Sequence, residues 1–294
     1  MFLLEPRAIL GILLSAAWSA CAADPTYLKQ SLATSSSQAD ELTTGAASAA
    51  YHPLFGAGDS QAKHLKSIAR YGELTVEPSG KTALVSYPAE EQIYFILSGT
   101  GAVVCDGATQ SVKPNDFLYL PPGSRHGAVN NSAEPLHLLV MGFRLPGGNI
   151  VPAARQLMIA NTADVPLQQL ASHGPTTQFK LLMGTTESKR DKLPAASQMV
   201  SLFLMDFAPG GTNIPHHHET EEEIYFILRG SGEMVAGGGA DGNEGRYPTR
   251  QGDAWFLRLN TTVGFYSAAQ PGGAHDLVLA VRSSFPFPPS RRGQ

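Results

Sequence analysis

Apolar positions along this chain come in short runs rather than at helical spacing. "IYFIL" occurs twice, at 93–97 and 224–228, and "DFLYL" (116–120), "LHLLVMGF" (136–143) and "TQFKLLMG" (177–184) are of the same kind. These runs are rich in β-branched and aromatic residues, and Gly, Pro, Asn or Asp separate them at hairpin-like spacing, which predicts strands. Many short strands with regular turns predict a sandwich or a barrel. The stretch 146–198 is more mixed, and "PAARQLM" (152–158) and "PLQQLA" (166–171) predict short helices within it.

The runs repeat. "EEQIYFILSGTG" (90–101) and "EEEIYFILRGSG" (221–232) are 131 residues apart, and "EPSGKT" (77–82) and "APGGTN" (208–213) keep that offset. "NDFLYL" (115–120) matches "GDAWFL" (252–257) at 137, and "HLLVMGFR" (137–144) matches "HDLVLAVR" (275–282) at 138. The six extra residues fall in the Gly-rich "VAGGGADGNEGRYPTR", predicted to be a long hairpin loop. Two copies of one unit, about 61–145 and 199–284, therefore make up most of the chain, joined by a connector at 146–198.

Composition fits this picture. The 294 residues carry 30 Gly and 21 Pro, which favours turns over helices, and 43% hydrophobic residues, enough for a core. Net charge is −4 and no basic stripe is present, which argues against nucleic acid as a partner. The first 22 residues have Arg7, an apolar stretch from Ala8 to Ala17 and small residues before Ala23, the pattern of a cleaved secretory signal, so a secreted or periplasmic location is expected. A lipoprotein signal anchored at Cys21 is the alternative. The apolar stretch is too short to span a membrane. Cleavage leaves Cys105 as a single thiol, expected to be buried in a strand, so no disulfide staples the mature chain. Residues 23–60 include the Ser/Ala/Thr-rich "SLATSSSQADELTTGAASAA" and read as a flexible lead-in, and 285–294 as a Pro-rich tail.

The chemistry is concentrated in "NIPHHHETEEEIYFILRG" (213–230). On a strand, His216 and His218 project to one side and His217 to the other. If the polar link after them is a turn, the next strand pairs antiparallel and returns Glu223 to the same face. Two imidazoles and a carboxylate converging inside a barrel form a divalent metal site. Glu221 and Glu222 read as solvated, with Glu222 the alternative carboxylate ligand.

These residues resemble the cupin family. Its first motif, G-x5-H-x-H-x(3,4)-E-x6-G, is matched by Gly210, His216, His218, Glu223 and Gly230. Its second, G-x5-P-x-G-x2-H-x3-N, keeps only Gly252 here; Arg258, Asn260, Val263 and Ser267 stand at the other positions, so the family's last His ligand is missing. The first copy is the complement. Pro121, Gly123, His126 and Asn130 match the second motif, while Val85, Tyr87 and Gln92 replace the first-motif ligands. The resemblance implies an all-β bicupin, two tandem jelly-roll barrels with short helical connectors, with one metal in the C-terminal barrel and none in the N-terminal one.

Further residues follow from this reading. His275 and Tyr266 are candidates for a fourth ligand or a supporting role, and Val263 marks the vacant ligand position. Phe226, Trp255 and Phe265 are expected to shield the substrate. His126, Gln92 and Tyr87 are candidates for a metal-free pocket in the first barrel. Two His and one Glu match the facial set of non-haem iron oxygenases, so Fe or Mn is favoured, with Zn or Ni as alternatives. The resemblance extends to oxalate decarboxylases and quercetin-type dioxygenases. It implies a dioxygenase-like enzyme acting on a small organic molecule; a hydrolase or decarboxylase, or a non-catalytic sugar- or small-molecule-binding barrel, are the alternatives. Barrels of this family often pair, so a homodimer is a further expectation.

Overall fold

The computed structural model describes residues 25–147, 154–238, 244–269 and 271–285. The expected signal segment with Cys21 and the tail beyond 285 lie outside these residues. Among the described residues, nineteen strands follow in chain order. They are β1 (Tyr27–Ser31), β2 (Ala49–Gly56), β3 (Ile68–Val76), β4 (Glu90–Ser98), β5 (Gly101–Cys105), β6 (Ala108–Val112), β7 (Asp116–Leu120), β8 (His126–Val129), β9 (Leu136–Arg144) and β10 (Met158–Asn161). The second half holds β11 (Thr177–Thr185), β12 (Leu193–Ala196), β13 (Met199–Phe207), β14 (Glu221–Arg229), β15 (Ser231–Gly237), β16 (Glu244–Arg250), β17 (Asp253–Leu257), β18 (Thr262–Ser267) and β19 (Asp276–Ser284).

Each copy folds into a two-sheet barrel. In the N-terminal one, a sheet in the order β10-β7-β4-β9-β3-β2 faces the three strands β6-β5-β8. In the C-terminal one, β1-β17-β14-β19-β13-β11-β12 faces β16-β15-β18. The two large sheets also pack against each other, which explains the unbroken apolar runs: their central strands are buried on both faces. In β4, Tyr94 and Ile96 face their own barrel, whereas Ile93 and Phe95 face the other barrel; in β14, Tyr225 and Ile227 point inward and Ile224 and Phe226 across. Cys105 is a buried free thiol at the end of β5.

Three expectations are corrected. The lead-in is not a flexible arm. Its β1 pairs antiparallel with β17 of the C-terminal barrel, Tyr27 opposite Leu257 and Ser31 opposite Asp253, and its β2 pairs with β3. Main-chain pairing and a few large apolar side chains order it: Leu42, Tyr51, Leu54 and Phe55 are buried in the cores. The connector does the converse, since its β10 pairs with β7 of the N-terminal barrel. Each barrel thus completes its sheet with a strand from the segment that precedes the other. The predicted helices are likewise absent among the described residues: 166–170 is irregular, and only three-residue 3-10 turns occur, such as Ala171–His173. The Pro and polar residues there offer no apolar helical face.

Glu222 is not solvated. It is fully buried and accepts from the Ser67 amide (2.7 Å), the Ser67 hydroxyl (2.5 Å) and the Lys66 amide (3.0 Å), at the entry to β3. Glu91, 131 residues earlier, does the same for the other barrel, accepting from the amides of Ser197 (2.8 Å), Gln198 (2.8 Å) and Met199 (2.5 Å) at the entry to β13. The two carboxylates form a reciprocal clasp between the barrels.

Candidate metal centre

His216 and His218 lie on an extended segment that leads toward β14. The chain there turns left-handed at Ile214 (φ 57°). The backbone of His216 pairs with Val263 of β18 (2.9 and 2.8 Å) and the carbonyl of His218 accepts from Asn260 (2.8 Å). Glu223 comes from β14 in the opposite sheet. The expected hairpin between the His segment and β14 is therefore not formed; the three groups meet across the barrel instead.

They do meet. One ligand atom from each of His216, His218 and Glu223 lies within 4.8 Å of the others. Glu223 is only 1% exposed, and neither of its oxygens has a hydrogen-bond partner; His218 Nε2 stands 3.4 Å from Oε2. A buried carboxylate without donors is costly unless a cation compensates it. His216 Nδ1 donates to the Ile214 carbonyl (2.9 Å), which leaves Nε2 available, the orienting bond used by metal-binding histidines. Burial lowers its pKa below the ordinary imidazole range, favouring the neutral form that can ligate. The residues present thus fit a divalent ion. His217 is exposed.

A cavity of about 590 Å³ opens beside the three. Phe179, Leu181, Phe203 and Tyr225 form apolar wall, and Arg190 and Arg282 supply positive charge. Arg282 Nη1 donates to Glu221 (3.0 Å) while its Nε is buried without a partner; Arg190 Nη2 donates to the Ser201 hydroxyl (3.3 Å). The connector contributes His173 to the same cavity. Sequence reasoning missed these residues. Arg282 and Tyr225 could have been found by strand parity, since Tyr225 is two residues from Glu223, and Arg282 lies opposite Glu223 across the β14–β19 pair.

Parity also explains what is not there. Phe226 is three residues from Glu223 and faces the other barrel. Trp255 and Phe265 are in the C-terminal barrel core but away from this cavity: Trp255 Nε1 donates to Thr249 Oγ1 (2.9 Å), and Phe265 packs on Phe207 with ring centres 4.8 Å apart. Tyr266 lies under the Arg246 guanidinium (3.9 Å), and the half-exposed His275 bonds Asp206 (2.5 Å). Neither joins the ligand cluster.

The N-terminal barrel shows why its motif can be lost. There Val85 pairs with His126, as His216 pairs with Val263 in the second copy. The two barrels thus carry one His and one Val at the same pair of positions, exchanged. Arg70 fills the interior: its Nη1 bonds Asp40 (3.0 Å) and the Tyr87 hydroxyl (2.9 Å), its Nε bonds Glu90 (3.3 Å), and its Cζ lies 4.0 Å from the centre of the Tyr87 ring. Gln92 Nε2 donates to Glu90 (2.7 Å). A guanidinium on the chain itself occupies the N-terminal interior, and the residue 131 positions later, Ser201, instead lines the open cavity.

His126 is buried between the rings of Tyr87 and Tyr94, with Nδ1 donating to the Ser124 carbonyl (3.0 Å). Burial pushes its pKa down to about 4, partly countered by that bond. The unfolded chain, with an ordinary value of about 6.5, binds a proton that the folded chain refuses between those values. His126 therefore subtracts stability as pH falls from about 6.5 to about 4 and has no such effect above that window. In urea unfolding at pH 7 and pH 4.5, His126→Asn is expected to lose about 2 kcal/mol less than wild type on acidification. Equal losses would contradict a neutral buried imidazole.

The cupin domain model matches residues 72–142 and again 203–267. The solved structures agree. Protein Ylba from E. coli aligns with TM-score 0.66 at 17% identity, over 88% of this chain and 91% of that one. Oxalate decarboxylase from Bacillus subtilis aligns with TM-score 0.61 at 13% identity, over 87% and 76%.

The chain is a bicupin of the cupin superfamily.

Among curated proteins, the uncharacterized protein MJ1618 of Methanocaldococcus jannaschii is 34% identical over 71 residues, 24% of this bicupin and 57% of that protein. The bicupin thus matches a little over half the length of that relative, about the extent of one barrel. Among the described residues, no helix is long and apolar enough to cross a membrane.

Proposed function

We propose that this bicupin is a metal-dependent enzyme acting on a small organic anion, with His216, His218 and Glu223 as metal ligands and reaction with dioxygen as the favoured chemistry. The observation that carries this reading is Glu223, buried and without a hydrogen-bond donor, grouped with two imidazoles at the wall of the cavity. A divalent ion held there supplies Lewis acidity and, as Fe or Mn, electrons for oxygen chemistry; the same ligand types accept Zn or Ni. The chain's own groups do the rest. Arg190 and Arg282 offer forked donors that match a carboxylate, and the buried Nε of Arg282 has no partner within the protein. The apolar walls keep water from the remainder of the molecule, and about 590 Å³ is the size of a small-molecule site.

The two arginines equally favour decarboxylation of a small acid as a second reading, the activity named for the Bacillus subtilis structure. Protein loaded with Fe(II) or Mn(II) and offered small carboxylic acids, catechols and flavonoids separates these. Oxygen uptake that disappears in Glu223→Gln supports oxygenation. Carbon dioxide release without net oxygen uptake supports decarboxylation. Tight substrate binding with no product identifies a non-catalytic barrel and contradicts both.

A further inference from the structure

We propose that His173, delivered by the segment between the barrels, is a fourth protein ligand for the ion, replacing the imidazole absent at Val263. This rests on the metal reading above and extends it to a residue outside both cupin motifs.

The ring of His173 lies edge-on to that of His216, with centres 5.0 Å apart; His216 and His218 stand in the same relation at 4.9 Å. Two imidazoles bound through Nε2 to one ion at about 2.1 Å have ring centres roughly 4.5–5.3 Å apart for angles between octahedral and tetrahedral. Both spacings fall within that interval. His173 is oriented in the same way as His216. His173 Nδ1 donates to the carbonyl of Asn213 (3.2 Å), and His216 Nδ1 to the carbonyl of Ile214 (2.9 Å), so consecutive carbonyls leave both Nε2 atoms unengaged.

This local backbone is costly. Ile214 is β-branched and holds φ 57°, a strain on the order of 1–3 kcal/mol. Asn213 is fully buried and fixed on both sides, its Nδ2 donating to the Tyr225 hydroxyl (2.9 Å) and its Oδ1 accepting from the Phe265 amide (2.8 Å). Gly174 follows His173 at φ 76°, and a Cβ there would come within 3.3 Å of Ile214 Cδ1. The turn carrying His173 is thus seated on the loop carrying His216.

The duplicated architecture places a turn at the corresponding point of both halves. The turn Ala171–His173 follows Glu41–Thr43 by 130 residues. The earlier turn is capped by Asp40, whose carboxylate bonds the Arg70 guanidinium inside the N-terminal barrel. In the N-terminal barrel the cap of the turn, Asp40, supplies an anion to the internal cation; in the C-terminal barrel the cap is Leu170, and the turn's last residue, His173, brings an imidazole to the cavity. His173 stands outside the 4.8 Å triad, so ligation draws the turn inward.

The test uses the full chain, stripped of metal and titrated with Co(II). Wild type is expected to show three paramagnetically shifted imidazole N–H proton signals, from His173, His216 and His218. His173→Ala is expected to show two, with Co(II) affinity weakened about 10–100-fold and an altered visible spectrum. Two signals in wild type, or unchanged affinity and spectrum in His173→Ala, overturn the assignment while leaving the three-residue site intact. Wild type that takes up no Co(II) overturns the site itself. The signal count in wild type decides the matter even where the variant folds poorly.

Discussion

Replacing Glu222 or Glu91 by alanine is expected to cost about 3–5 kcal/mol of folding stability, a fall in Tm of roughly 10 °C. Neither residue touches the metal centre. Each is a carboxylate in the seam between the barrels, and each accepts two or three main-chain N–H groups at the point where the other barrel's sheet begins. Truncation removes the acceptor and leaves buried donors facing a void, and each such donor costs about 1–3 kcal/mol. Ser67 loses more than one bond, because its hydroxyl also donates to Glu222 and lies 2.6 Å from that of Ser283. The neighbour Glu221, partly exposed and paired with Arg282, serves as control, with an expected loss of no more than about 1 kcal/mol. Thermal and urea unfolding of the three variants checks this. Equal, small losses in all three would show that the apolar faces alone hold the barrels together.

Glu223→Gln is expected to move stability and metal affinity in opposite directions. In metal-free protein the carboxylate is buried with no hydrogen-bond donor, so removing its charge is expected to raise unfolding free energy by about 1–3 kcal/mol. The same substitution removes an anionic ligand and is expected to weaken divalent-ion binding by at least about 100-fold, about 2.7 kcal/mol. A residue kept for binding is expected to destabilise the empty fold. Denaturant unfolding with chelator present measures the first effect, and competition titration with a metallochromic dye the second. Loss of stability in the metal-free variant would mark Glu223 as a structural acid instead.

The grouping of His216, His218 and Glu223 is legible in the sequence because its signal is local: residue type and spacing within one stretch. The β architecture was legible for a related reason, since "IYFIL" and its neighbours carry β propensity in every residue. Which side chains of those runs face the cavity is less legible. Phe226 stands an odd number of residues from Glu223 and so faces the other barrel, an alternation that the doubly buried strand hides. Glu222 was read as solvated because acidic residues beside a turn usually are; its amide donors come from 155 residues away. The exchanged strands β1 and β10 are short, and although Tyr27, Leu28, Met158 and Ile159 pack against the cores, nothing local in them says which barrel they join. His173, Arg190 and Arg282 lie outside the motifs, and the tertiary fold alone brings them to the cavity.

One divalent ion is expected to belong to the C-terminal barrel. Elemental analysis of the natively purified protein tests it most directly, alongside a variant carrying both His216→Ala and His218→Ala. The expected result is about one first-row ion per chain in wild type, approaching full occupancy of a three-ligand site, and almost none in the double variant. Metal below about 0.2 per chain even after reloading with Fe(II), Mn(II) or Zn(II), well short of such a site, and unchanged by the two substitutions, would contradict it.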